Sequence, residues 1–173
     1  IPTGYLIEKS GEKTILLIAF SISFLGALLF ATNSSYTYAL VSLFLMGIGV
    51  AMMQVAINPL LRVSGGEKHF AFNSVLAQLI FGLASFISPQ LFVYLVQNLN
   101  SSSVQKNWII GILEKVVPEN LPWISLYWVF VLITLLMIGI IVLVRFPKVE
   151  LTEYERVGKK ENFIQLFRSK TVI

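Results

Sequence analysis

Polar residues fall along this chain in clumps, and between the clumps run four stretches that carry no charged side chain. They cover residues 14–32, 37–61, 70–97 and 123–144. A helix needs about 20 apolar residues to cross about 30 Å of hydrocarbon, and each stretch is long enough. The pattern therefore predicts an all-α membrane protein with four transmembrane helices. Composition points the same way: 56% of residues are hydrophobic, 13% are charged and the mean hydropathy is +0.80. Soluble domains average about 45–50% apolar and about 25% charged.

Charge then orients the spans. Residues 1–13, 62–69 and 145–173 fall on one face and hold eleven of the thirteen Lys and Arg residues. Residues 33–36 and 98–122 fall on the other and hold only Lys106 and Lys115. Positive charge collects on cytoplasmic loops, so the first set is assigned to the cytoplasm. The first and third spans run outward, the second and fourth inward. A turn at NSSY joins the first pair, and RVSGGEKH, whose glycines suit a tight reversal, joins the second and third. In the outer segment, Trp108, Ile109, Ile112, Leu113 and Val116 recur at helical spacing, which predicts a short helix on the outer surface. Trp123, Tyr127 and Trp128 open the last span where amphipathic rings anchor at the interface. The tail 146–173 is charged. Phe163, Leu166 and Phe167 share a helical face there, as in an interfacial helix or a linker to more chain. Asn33-Ser34-Ser35 and Asn100-Ser101-Ser102 match the glycosylation acceptor pattern on the outer side.

Several chemistries are excluded. There is no cysteine for a disulfide or a thiolate metal site, and the one histidine is His69. All nine acids are glutamate, and none falls within the four uncharged stretches. With no Asp, Glu, His, Cys or Lys in a span, acid–base, nucleophilic and metal chemistry lack their groups. No catalytic residue, metal ligand or cofactor is assigned. The net charge of +4 sits at the ends of spans and gives no reason to expect nucleic acid. The opening IPTGYLIEKSG has neither the charged start nor the cleavage site of a signal peptide. It reads as the tail of an earlier helix, so the expectation is an internal piece of a larger membrane protein. A processed four-helix scaffold protein is the alternative.

The polar residues inside the spans then become informative. A carboxamide without partners costs a few kcal/mol in hydrocarbon, so Gln54 has to face protein or water. It lies about 12 Å outward of Arg62, and Gln78 lies about 13 Å outward of His69. The two are on consecutive antiparallel spans, so they meet at nearly one level near the midplane. Gln54 shares a helix face with Asn58, as Gln78 does with Ser74. Pro59 removes a backbone donor and predicts a kink, and Pro89 offers a second kink point. Gly47 and Gly49, and Gly82 with Ser85, predict close helix neighbours. Alternating-access transporters build midplane sites from such interrupted helices and polar groups. Interhelical hydrogen bonding, worth about 0.6 kcal/mol on average, is the competing role.

The stretch GYLIEKSGEK (4–13) resembles the loop motif between the second and third helices of major facilitator superfamily transporters. That resemblance implies a charged latch, with Gly4 and Gly11 permitting the turn and Glu8, Lys9 and Lys13 pairing with neighbouring helix ends. Glu12 departs from it, because the family more often carries a basic residue there. IPTG at the start, QVAINP (54–59), FNSVLAQ (72–78) and RFP (145–147) look like the fucose:proton symporter family of sugar transporters. The resemblance makes the four spans helices three to six of a twelve-helix fold. Residues 1–13 become the end of helix two and the loop motif, 14–145 the four-helix part of the N-terminal bundle, and 146–173 the start of the central cytoplasmic loop.

Site residues carry over where they match. Gln54 stands where that family has a substrate-binding glutamate, Asn58 and Pro59 match, and Gln78 matches a sugar-contacting glutamine. Phe81 replaces an asparagine, and its ring could stack on a sugar face. The changes at Gln54 and Phe81 point from fucose toward another neutral sugar such as glucose, mannose or galactose. An amide offers donor and acceptor to adjacent hydroxyls, which suits Gln54 and Gln78. Asn58 is assigned to backbone groups freed by Pro59. The implied function is secondary transport of a neutral hexose or deoxyhexose across the cell inner membrane, coupled to a cation. Protons are favoured over sodium, with the coupling carboxylate on a first helix outside this chain. The implied partners are the sugar, the cation, the bilayer and the remaining transporter helices. A major facilitator carrier of a non-sugar solute remains the alternative.

Overall fold

The structure, a computed structural model, describes residues 2–33, 35–99 and 107–146. It is all-helical among those residues: α1 (Pro2–Thr32), α2 (Tyr36–Gly65), α3 (Phe70–Leu99), the short α4 (Trp108–Leu113) and α5 (Ser125–Leu143). Single 3₁₀ turns, Glu67–His69 and Pro122–Ile124, lead into α3 and α5. Four helices are long and apolar enough to cross a membrane, covering Thr3–Thr32, Tyr36–Val63, Phe70–Leu99 and Pro122–Leu143. Phe163, Leu166, Phe167 and Asn100-Ser101-Ser102 lie outside the described residues.

α1 is not one rod. Gly11 leaves the helical region at φ 77°, ψ 160°, a backbone that favours glycine. Beyond it, residues 12–32 run antiparallel to α2 in a register fixed by Gly49 lying against Ala19 and Ser23. Continued straight, that register would carry Gly4 past the end of α2. Instead Gly4 and Ile7 lie beside Ala51–Pro59. The chain therefore doubles back at Gly11, and residues 2–10 form a separate inward-running arm along α2. This corrects the expected motif geometry: Gly11 alone makes the reversal, while Gly4 is helical and faces α2. The second inner reversal also rests on one glycine, Gly66, at φ 71°.

Glu12 begins the outward run and is 8% exposed. The four uncharged stretches leave every acid outside the spans, but the helix that starts just after Gly11 takes Glu12 into the packed interior. A carboxylate in the first turn after the reversal faces the positive end of the helix dipole, which favours it there.

The core joins the arm, α1, α2 and α5 through Ile7, Ile15, Leu16, Ala19, Met52, Ala56, Leu60 and Ile141. Small residues bring α1 and α2 together, as is usual where lipid offers no hydrophobic drive between helices. The buried Ser42 Oγ donates to Gly26 O at 2.6 Å. At the outer end, Phe30 meets Tyr127 edge-on at 4.5 Å and Trp123 at 5.6 Å, tying α1 to α5.

α3 stands apart, with Phe72, Val75, Leu79, Ile80, Leu83, Phe86 and Ile87 all exposed. Gly82 has nothing within 4 Å and Ser85 Oγ donates to Phe81 O of its own helix, so neither makes the expected close contact. Gly47 is likewise open, and only Gly49 of that pair touches a neighbour. α2 and α3 continue as helices through Pro59 and Pro89.

α4 has two apolar faces. Ile110 and Leu113, with Val117 just beyond, pack on Leu95 of α3, while Trp108, Ile109, Ile112 and Val116 remain exposed. Leu113 thus belongs to the opposite face from the one expected. The sequence WIIGIL has no polar stripe to distinguish the faces, so the choice falls to the surface of α3 and α5. Asn107 Nδ2 donates to Tyr94 Oη at 2.9 Å and pins the start of α4 to α3.

Candidate functional site

Gln54 and Asn58 project from one face of α2 and form a polar ridge. On one flank, between α2 and α3, is a cavity of about 320 Å³. Val50, Met53, Gln54, Ile57, Asn58 and Leu61 line it from α2, and Ser74, Ala77, Gln78 and Phe81 from α3. Its volume lies within the roughly 300–1,000 Å³ of small-molecule sites. On the other flank a second cavity, of about 590 Å³, lies between the ridge and the N-terminal arm, lined by Gly4, Ile7, Ala51, Val55 and Pro59.

The four sequence-assigned binding residues, Gln54, Asn58, Gln78 and Phe81, therefore line a single cavity. Its chemistry is graded. Val50, Met53 and Phe81 lie toward one end, the glutamines near the middle, and Asn58 with Ser74 toward the other. No ionisable side chain lines either cavity among the described residues. Gln54, Asn58 and Gln78 make no hydrogen bond to another described residue, and all three side chains are exposed in this set of helices. Among the described residues, then, none of these amides bridges α2 and α3.

Asn58 does not serve the role expected from Pro59. The proline has no N–H for the carbonyl of Val55, and Asn58 forms no bond there. That carbonyl is left beside the second cavity, whose wall includes Val55 and Pro59. Two residues outside the binding assignment also stand on these walls, Gly4 on the second cavity and Ser74 on the first. Gly4 was read as part of the turn, and the fold-back at Gly11 that moves it has no marker in a helical pattern. Ser74 shares the helix face of Gln78, and that spacing is the sequence signal that marks it.

The loop-motif charges divide. Lys13 Nζ donates to Val142 O at 3.0 Å and Val144 O at 2.8 Å, capping the end of α5, and lies 6.0 Å from the Phe146 ring centre. A cation at carbonyls left open by a helix end satisfies both the hydrogen-bond deficit and the dipole. Glu8 and Lys9 are exposed on the arm beside Gly11. Replacing Lys13 with methionine removes this cap and costs about 1 kcal/mol, read as a lower unfolding midpoint in detergent. Lys13→Arg retains most of it.

The whole chain, residues 1–173, matches the Major Facilitator Superfamily. The chain belongs to that superfamily and is a multi-pass membrane protein. It is 30% identical over 162 residues to the L-fucose-proton symporter of Escherichia coli (strain K12), covering 87% of this chain and 36% of that protein. It is 29% identical over 92 residues to the glucose/galactose transporter of Brucella abortus biovar 1 (strain 9-941), covering 51% of this chain and 22% of that protein. The same figures hold for the glucose/galactose transporter of Brucella abortus (strain 2308). The chain thus spans about a third or less of the length of these curated relatives. No solved structure matches it.

Proposed function

We propose that these helices are the third to sixth of a twelve-helix transporter that moves a neutral sugar across the cell inner membrane by alternating access. The carrying observation is the cavity between α2 and α3, where Gln54, Asn58, Gln78 and Phe81 stand around uncharged space and the amides have no hydrogen-bond partner among the described residues. Hydroxyl-rich neutral solutes suit such a wall: each carboxamide both donates and accepts, and Phe81, 62% exposed, offers a ring face. The similarity to a fucose symporter and to glucose/galactose transporters supports the same class. The lining among the described residues is apolar and neutral-polar, which suits a neutral solute. The reaction is transport without covalent chemistry. Coupling to protons, in preference to sodium, is assigned to a carboxylate on a helix outside this chain, because an intramembrane acid is the usual proton carrier.

The test is uptake by the full-length transporter in proteoliposomes. Labelled glucose, galactose, mannose and fucose are compared with charged and lipophilic solutes, with and without an imposed proton gradient. Saturable uptake of at least one sugar, driven by the gradient and not competed by ions or drugs, is expected. Uptake of a non-sugar with no sugar movement would overturn the reading.

A further inference from the structure

The antiparallel register that sets Gln54 level with Gln78 sets Asn58 level with Ser74, one turn nearer the cytoplasm. Both pairs line the same cavity. Hydroxyls in a helix usually bond back to their own backbone. Ser85 Oγ does so to Phe81 O at 3.0 Å, Thr134 Oγ1 to Phe130 O at 2.7 Å and Thr32 Oγ1 to Leu28 O at 2.9 Å. Ser74 Oγ does not. It is buried without a hydrogen-bond partner, a state otherwise confined among the described residues to Ser23, Ser125 and Trp128. Those three line neither cavity described above: Ser23 is pressed against Gly49, and Ser125 and Trp128 lie at the outer start of α5. Among the described residues, Ser74 is thus the cavity-lining residue whose hydroxyl is buried and unpaired.

We infer that Ser74 and Asn58 form an inner polar rung of the site, with Ser74 a specificity-determining residue that bonds one hydroxyl of the sugar. The inference rests on the sugar reading above and adds a residue and a second level to it. A single step between staggered χ1 wells turns the hydroxyl to the cavity wall, where it can donate and accept. The two rungs are one turn, about 5.4 Å, apart along α2, so a solute with hydroxyls at both ends can engage both. A mono-ol or a flat apolar solute would leave the inner rung stranded, which is how such a wall selects polyhydroxylated substrates.

The experiment uses the full-length transporter in proteoliposomes, with the transported sugar and its set of monodeoxy analogues. Wild type should discriminate against one analogue in particular. Ser74→Ala should raise KM for the parent sugar about 3- to 10-fold, the worth of one hydrogen bond between neutral groups. It should leave KM for that analogue unchanged, so the discrimination collapses at that position alone. Ser74→Thr, which keeps the hydroxyl, should retain it. Sugar uptake with wild-type KM values in Ser74→Ala overturns the inner rung and leaves the sugar reading intact. An equal loss for parent and every analogue assigns Ser74 to packing and also overturns it. A wild type that moves no sugar removes both readings.

Discussion

Leucine in place of Gln54 in the complete transporter is expected to abolish the proposed sugar uptake and to leave insertion and folding unchanged. The separation of effects follows from where the side chain sits. Gln54 lines the cavities on both flanks of the α2 ridge, is exposed within this set of helices, and bonds to no other described residue. Leucine is close in size and forfeits no protein contact that holds α2 to α1. The solute loses more. An amide can pair with two adjacent hydroxyls, and leucine strands both at about 1–3 kcal/mol each. That amounts to roughly 30-fold to 10⁴-fold in transport efficiency. Initial uptake rates at matched protein content, beside circular dichroism and a gel-filtration profile, separate function from folding. Gln54→Asn keeps the chemistry but withdraws it by one methylene, and should fall between leucine and wild type. Wild-type uptake in Gln54→Leu would reduce the residue to helix packing.

Much of this site could be read from the sequence because depth in a membrane is a matter of counting. Span ends are marked by Arg62 and His69, helix rise is fixed, and consecutive spans are antiparallel, so the level of Gln54 and Gln78 follows without knowledge of side-chain packing. The four spans were legible for the same reason: charge is excluded from hydrocarbon, and uncharged runs reveal it. What stayed hidden depended on choices between equivalent surfaces. Gly47 and Gly49 look alike in sequence, yet only Gly49 faces α1. WIIGIL carries apolar side chains all round, and the packed side of α4 is set by Leu95. The arm was hidden differently. A glycine between two helical runs can be a tolerated interior residue or a reversal, and only the positive φ at Gly11 distinguishes them. That one angle moves Gly4 from a loop to a cavity wall and draws Glu12 into the interior. Pro59 frees one carbonyl of α2 without ending the helix.

The largest stability effect is expected at Gly49. A Cβ there would lie 2.7 Å from the carbonyl oxygen of Ala19 and would collide with Ser23 Oγ. One obstacle is backbone and the other a 94%-buried side chain, so neither gives way without moving α1 from α2. Those helices hold the core from Ile15 to Leu60, and in lipid their association depends on close van der Waals contact between small residues. Gly49→Leu therefore forces the pair apart along its length. Overpacking of this kind costs about 1–3 kcal/mol where side chains can shift, and more is expected where backbone is the obstacle. The measurable result is a sharp fall in membrane yield and in the thermal midpoint of what is recovered. Gly47→Leu is the internal control: it lies two residues away on the same helix with nothing within 4 Å, and should express and melt like wild type. Equal behaviour of the two variants would mean that the α1–α2 approach at Gly49 is not what holds this half of the bundle together.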